Sequence, residues 1–322
     1  MKHNKTILVT GGAGFIGSNL INILLNFNCK VYCLDNYDAF YKRSIKENNI
    51  IRFQKNPNFI FIENDILNPS KWSSEVNDKI DCIVHLAAKA GVRPSIANPE
   101  NYFQANVGGT LKMLEWAKKK NIEKFIFASS SSVYGKNPNV PWHETDYFDP
   151  ISPYAASKIA AEQLIKVYAH LNNTQSIILR FFTVYGPGQR PDLAIHKFFN
   201  LIHNNQAIPF FGDGSSSRDY TYIDDIVNGI IGAINKQVLS GQTETYNLGN
   251  SRPISLNDLI DLISEVSGKK AKLEKHPMQD GDVIATYSKI ENAIGNLNYL
   301  PKTRLIDGLT QFYKWFLETQ KQ

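Results

Sequence analysis

Through the first half of the chain, short runs of apolar and β-branched residues alternate with stretches whose apolar positions recur every three or four residues. The runs Thr6 to Thr10, Lys30 to Asp35, Phe59 to Glu63, Asp81 to Leu86, Lys124 to Ser129 and Ser176 to Arg180 predict strands. Between them, Ile16-Leu20-Ile21-Leu24, Thr110-Leu111-Leu114-Ala117 and Ala160-Leu164-Val167-Tyr168 each put apolar side chains on one helical face. Continuous apolar strands are buried on both faces, and parallel neighbours need a crossover long enough to hold a helix. The alternation therefore predicts an α/β fold with a doubly wound parallel sheet.

After Arg180 the rhythm breaks. Turn-forming stretches at Tyr185-Gly186-Pro187-Gly188, Gly212-Asp213-Gly214-Ser215-Ser216-Ser217 and Pro277 to Gly281 interrupt shorter elements, the kind of loops that build sites. The expected organisation is a sheet domain over residues 1–180 and a smaller, interrupted lobe over 181–322. A helix from Ile223 to Ile234 returns residues 221–238 to the first domain.

Composition narrows the classes. With 322 residues, the chain is long enough for a large core, and 43% apolar residues exclude a disordered protein. Lysine and arginine number 35 against 30 acidic residues, without any block of like charge, so no nucleic-acid footprint is expected. The first apolar run stops at Gly11-Gly12, too short for a signal peptide, and no stretch is long enough to span a membrane. Cys29, Cys33 and Cys82 are odd in number and lack CxxC spacing, which predicts buried thiols, no metal and a reducing, cytoplasmic setting.

Thr10-Gly11-Gly12-Ala13-Gly14-Phe15-Ile16-Gly17 joins the first predicted strand to the first helix. Gly11 permits a tight turn, Gly14 lets backbone approach a pyrophosphate, and Gly17 lets helix pack on strand. The free amides that open the helix, at Phe15 and Ile16, then face the phosphates. Asp35, 18 positions after Gly17 and followed by Asn36, is placed to accept hydrogen bonds from an adenosine ribose. Its charge would repel a 2′-phosphate, so the motif predicts NAD in a Rossmann domain. Asp65 with Ile66, and Leu86-Ala87-Ala88, sit at strand ends where such sheets bind ligands. His85, inside an apolar strand end, reads as a satisfied core histidine.

Tyr154 and Lys158 are four apart in a predicted helix after Pro153, hence on one face. Ser129-Ser130-Ser131-Ser132 closes the fifth strand, Ser130 being 24 residues upstream of Tyr154. A hydroxyl, a phenol and an ammonium converging on a nicotinamide form a proton relay for alcohol oxidation. Lys158 and the cofactor's charge are expected to lower the tyrosine pKa and make Tyr154 the base.

These motifs resemble the extended short-chain dehydrogenase/reductase family and its nucleotide-sugar epimerases. Phe181 to Asp192, Arg218 to Asp225 and Met278 to Val283 are most similar to UDP-glucuronate 4-epimerases, whereas Lys89 stands where those enzymes often have an uncharged residue. The resemblance implies Ser130, Tyr154 and Lys158 as catalytic residues, with Asn106 supporting the lysine and cofactor region. It implies sugar-nucleotide contacts at Arg93, Ser131, Ser132, Thr183, Arg190, His196, Phe210, Phe211, Arg218 and Asp282. Arg190 is expected over the pocket, near the sugar's C6 acid. The implied activity is NAD-dependent 4-epimerisation of a UDP-sugar, UDP-glucuronate to UDP-galacturonate. The implied assembly is a homodimer through the helices around 102–117 and 155–171. Competing readings are a UDP-glucose or UDP-N-acetylglucosamine 4-epimerase, a UDP-glucuronate decarboxylase, and an inactive NAD-sensing protein. Dehydration is disfavoured because Ser131 and Ser132 stand where dehydratases carry an acid pair. An NAD sensor has no need of the Ser130, Tyr154 and Lys158 set.

Overall fold

The computed structural model describes residues 5–277 and 283–320. Seven strands form one parallel sheet: β1 (Thr6–Thr10), β2 (Lys30–Asp35), β3 (Phe59–Glu63), β4 (Cys82–His85), β5 (Lys124–Ser130), β6 (Gln175–Phe181) and a strand from later in the chain. That last strand is Thr243–Leu248, which runs parallel to β6 with Thr245 opposite Ile178. The spatial order is Thr243–Leu248, β6, β5, β4, β1, β2, β3, so the winding reverses between β1 and β4. The ends of the strands on either side of a reversal splay apart and leave a crevice for a ligand.

Alternation along each strand explains why both faces are apolar. Ile7 and Val9 of β1 join one core with Leu20, Ile21 and Leu24 of α1 (Phe15–Asn26). Leu8 of the same strand joins the opposite core with Ile83, Phe125 and Phe127. The crossovers are α2 (Arg43–Ile51), α3 (Pro69–Trp72), α4 (Val92–Ala97), α5 (Pro99–Phe103), α6 (Gly109–Lys119) and α7 (Pro153–Asn172). Between α5 and α6 the chain makes a π-helical turn over Gln104–Gly108, so the helix expected around 102–117 is two helices joined by a bulge. Such bulges occur often at functional sites.

The lobe carries β7 (Thr183–Tyr185), β8 (Ala207–Phe211), β9 (Ser217–Tyr222), β10, which is the Thr243–Leu248 strand, β11 (Pro253–Ser255) and β12 (Lys272–His276). Apart from β10, these form a three-stranded sheet ordered β11-β9-β7 and a parallel pair β12-β8. Its helices are α8 (Ala194–His203), α9 (Ile223–Asn235), α10 (Leu256–Ser267), α11 (Glu291–Leu297) and α12 (Leu305–Thr319). Helix α9 packs on α1, and β10 joins the large sheet beside β6. Strand β10 escapes a pattern search because its first three residues, Thr243, Glu244 and Thr245, are polar and only half-buried, as befits an edge strand.

Candidate active site

The loops after β1, β2 and β4 converge where the winding reverses. Gly11 has left-handed backbone, and a Cβ there would lie 2.7 Å from the Ala87 nitrogen; a Cβ on Gly17 would lie 2.4 Å from the Gly11 carbonyl oxygen. Both glycines therefore hold the turn tight against β4 and α1. Asp35 accepts from the Ala13 amide at 3.1 Å and the Tyr37 amide at 2.9 Å, so its carboxylate is oriented by both neighbouring loops. Burial raises its pKa, opposed chiefly by the Lys46 ammonium 3.9 Å away. That ammonium offsets part of the repulsion Asp35 alone would exert on a 2′-phosphate. Asn36 donates to Asp65 at 2.8 Å, and with Ile66 they line a cavity of about 230 Å³.

A second cavity of about 460 Å³ adjoins the first. Gly11, Gly14, Phe15, Ile16, Gly17, Leu86, Ala87 and Ala88 line it from one side, and Ser130, Ser131, Ser132, Tyr154, Lys158, Thr183 and Arg190 from the other. Helix α7 brings Tyr154 and Lys158 there because Ser152 caps it by accepting from Ala155 at 3.1 Å, with Pro153 in the first turn. Ser130 stands near enough to the Tyr154 phenol to act on its pKa, and its hydroxyl donates to Ser132 Oγ at 3.1 Å and takes the Ser132 amide at 3.2 Å. Lys158 donates to the Ala128 carbonyl at 2.7 Å and lies over the Phe127 ring. Burial pulls its pKa down to about 7, with the Glu162 carboxylate pulling upward.

The lowered tyrosine pKa is expected of Lys158 and the cofactor's charge together; among the protein's own groups burial raises Tyr154, and Ser130 and Arg190 partly oppose it. Asn106, in the π turn, lies off both cavities. It accepts from the Lys89 amide at 2.8 Å and donates to the Lys89 carbonyl at 3.0 Å and to Ser157 at 2.9 Å. It thus ties the loop after β4 to the helix turn between Tyr154 and Lys158. His85 bonds Thr10 and Thr110 through its two ring nitrogens and is pushed down to about 3 by burial, a core residue as expected.

Arg190 reaches the cavity because Gly186 and Gly188 turn the chain with positive φ after β7, and Asn19 of α1 holds the Pro187 carbonyl at 3.2 Å. It also pairs with Asp192 through Nε and Nη2, at 3.0 and 2.8 Å.

Five other expected sugar-nucleotide residues line neither cavity. His196 turns away to donate from Nδ1 to the Gln189 carbonyl at 2.7 Å, and packs edge-on against Phe312, Trp315 and Phe316. Phe210 is core, because alternation along β8 sends it inward and leaves Phe211 outward, stacked on His276. Arg93 lies over the Phe211 ring at 5.6 Å, and Arg218 donates to the Ser217 carbonyl at 2.8 Å. Asp282 lies outside the described residues.

Asp38, Phe40, Tyr41 and Lys46 line the larger cavity and were missed. The one available signal was Lys46, which shares a buried face of α2 with Ile50 four residues on, a place where an unpaired lysine does not belong.

The NAD dependent epimerase/dehydratase family matches residues 7–249, three quarters of the chain. The chain belongs to that family. An uncharacterized protein of Methanocaldococcus jannaschii is 44% identical over 98% of this chain and 97% of its own length. A UDP-glucuronate 4-epimerase of Thermodesulfobacterium geofontis is 39% identical over 97% and 96%. The UDP-glucuronic acid 4-epimerase of Bacillus cereus, solved with UDP-glucuronic acid and NAD, superposes with TM-score 0.91 at 36% identity, over 98% of this chain and 99% of that one.

The NAD of this family fits the residues present. Gly11 and Gly14 line the cleft without side chains, a carboxylate oriented by two amides stands beyond β2, and the two cavities adjoin at Gly11, which lines both.

Proposed function

We propose that the protein is an NAD-dependent UDP-sugar 4-epimerase that interconverts UDP-glucuronate and UDP-galacturonate. One observation carries this reading: Ser130, Tyr154 and Lys158 share a cavity with the glycine turn, and the same cavity presents Ser131, Ser132, Thr183 and Arg190 to a sugar. Similarity to 4-epimerases named for UDP-glucuronate supports the substrate.

When bound, NAD would supply the hydride acceptor and donor for sugar C4. Tyr154 takes the C4 hydroxyl proton, with Ser130 in the same cavity as relay, and later returns it. Lys158 sits one helical turn on, where a protonated ammonium favours the phenolate. Its own pKa near 7 means that the bound charges around it decide how much of it is protonated at work. Between the two transfers the 4-keto sugar must turn over, pivoting about its diphosphate. Ser131, Ser132 and Thr183 are neutral hydroxyls that can hold the C6 carboxylate in either pose. Arg190, already shared with Asp192, supplies charge without fixing one pose. Ser132 stands where UDP-glucuronate decarboxylases tend to carry Glu, which supports epimerisation.

The wider reading is of a cytoplasmic homodimer. Three free, buried thiols suit a reducing compartment, and among the described residues no helix is long and apolar enough to cross a membrane. Phe103, Val167 and Leu171 are exposed apolar residues on α5 and α7, where a partner's helices would cover them. Incubation with a panel of UDP-sugars, resolved by chromatography, tests the function. UDP-galacturonate should form from UDP-glucuronate without net NADH, and a preference for UDP-glucose would overturn the substrate.

A further inference from the structure

The two cavities are one cleft divided. Both are lined by Asp38 and Lys89, whose side chains meet at 2.8 Å. Asp38 follows β2 and Lys89 follows β4, and these strands flank β1 on opposite sides. Their side chains together join the loop after β2 to the loop after β4, and Gly11 of the glycine turn that follows β1 lines both cavities with them. A dinucleotide that fills both cavities has its pyrophosphate on that turn, hence beneath the bond.

Both partners are held in place to make it. Asp38 gives Oδ1 to the Phe40 amide at 3.0 Å and keeps Oδ2 for Lys89, and the Lys89 peptide is gripped on both sides by Asn106. The Lys89 and Asp38 side chains are about one third exposed, so the pair can open to water.

We propose that Lys89 and Asp38 form a clasp across the cofactor cleft, which must open for NAD to leave. The inference rests on NAD occupying this cleft and is independent of which sugar is epimerised. It gives Lys89, where related epimerases often have an uncharged residue, a role in cofactor retention. The clasp also suits an enzyme whose cofactor is restored in every cycle and gains nothing by exchanging.

Release of NAD from the purified holoenzyme, chased with excess NADH and followed by nucleotide fluorescence, tests the clasp without turnover. Lys89→Gln and Asp38→Asn should each speed release roughly three- to tenfold, the range of a partly exposed ion pair with a charged hydrogen bond. The double variant should be no faster than either single one, and the exchanged pair Lys89→Asp with Asp38→Lys should restore slow release. Raising the salt to about 1 M should speed the wild type and leave the double variant unchanged. Wild-type release rates in the single variants, or multiplied effects in the double one, would overturn the clasp. Pair-dependent release in a protein inactive on every UDP-sugar would instead support the clasp and sink the proposed reaction.

Discussion

Arg180 and Arg190 stand ten positions apart, each paired with a carboxylate through two nitrogens, and their surroundings give them opposite parts. Arg180 lies in β6 under the catalytic helix. Its Nε and Nη2 bond Glu162 at 3.0 and 2.8 Å, and its Nη1 bonds the Tyr134 hydroxyl and the Glu144 carbonyl. Neither side chain of the Arg180 and Glu162 pair is more than 2% exposed. Glu162 also takes the Ser129 hydroxyl at 2.5 Å, and Tyr134 passes the network on to Asn247. At the rim, Arg190 is 17% exposed and Asp192 39%, and Arg190 leans on the Phe40 ring. Among the described residues its Nη1 has no hydrogen-bond partner. A guanidinium with its donors in use and its partner dry is a fixed part of the floor. One with a spare nitrogen and a half-solvated partner can turn to a ligand at little cost.

The sharpest way to break this contrast is at the floor. Glu162→Gln leaves the Arg180 charge buried without compensation and should cost about 3–5 kcal/mol, read as a lower urea midpoint. A loss below about 1 kcal/mol would mean that water or another group reaches Arg180 and that the floor is not dry. Next comes the chemistry between floor and rim. Tyr154→Phe should lower turnover about 100-fold or more while the protein still carries NAD, assayed after heat release. Activity within a few-fold of wild type would remove Tyr154 as the base.

At the rim, Arg190→Met should reduce kcat/KM for UDP-glucuronate about 10-fold more than for UDP-glucose, with the urea midpoint nearly unchanged. Equal losses on both sugars would show that Arg190 serves Asp192 and not the C6 acid. Last comes the pH dependence of stability. Lys158 has a folded pKa of about 7 against an ordinary lysine value of 10.5, so between these values the unfolded chain binds a proton that the folded one does not. Stability from this group is therefore full above the ordinary value and lost as pH falls towards 7. Wild type should gain on Lys158→Met as pH rises from 7 to 10, by at most about 1.4 kcal/mol per pH unit. A pH-independent difference would mean that Lys158 keeps its proton throughout.

The cofactor half was legible because its signals are local. A strand, a turn with three glycines and a helix occur in sequence, and Asp35 ends the next strand. Tyr154 and Lys158 are bound to share a face by helical spacing alone. Of the residues expected at the sugar, those that end or directly follow a sheet strand or the turn behind β7 line the cavity, as Ser130, Ser131, Ser132, Thr183 and Arg190 do. His196 and Phe210 lie off both cavities because a one-residue or one-turn change of facing decides between cavity and core, and that depends on packing by α12 and β12, far along the chain.

By itself, then, the sequence determined the parallel sheet, the glycine turn and the spacing of the catalytic pair, since strand alternation, left-handed turns and helical pitch are properties of neighbouring residues. Only the tertiary structure decided that β10 completes the sheet, that Lys46 stands beside Asp35, that burial outweighs Ser130 and Arg190 at the tyrosine, and that Lys89 meets Asp38 over the cleft. Each of these depends on how far a charge lies from water and from a partner dozens of residues away, and those distances exist only once the chain has folded.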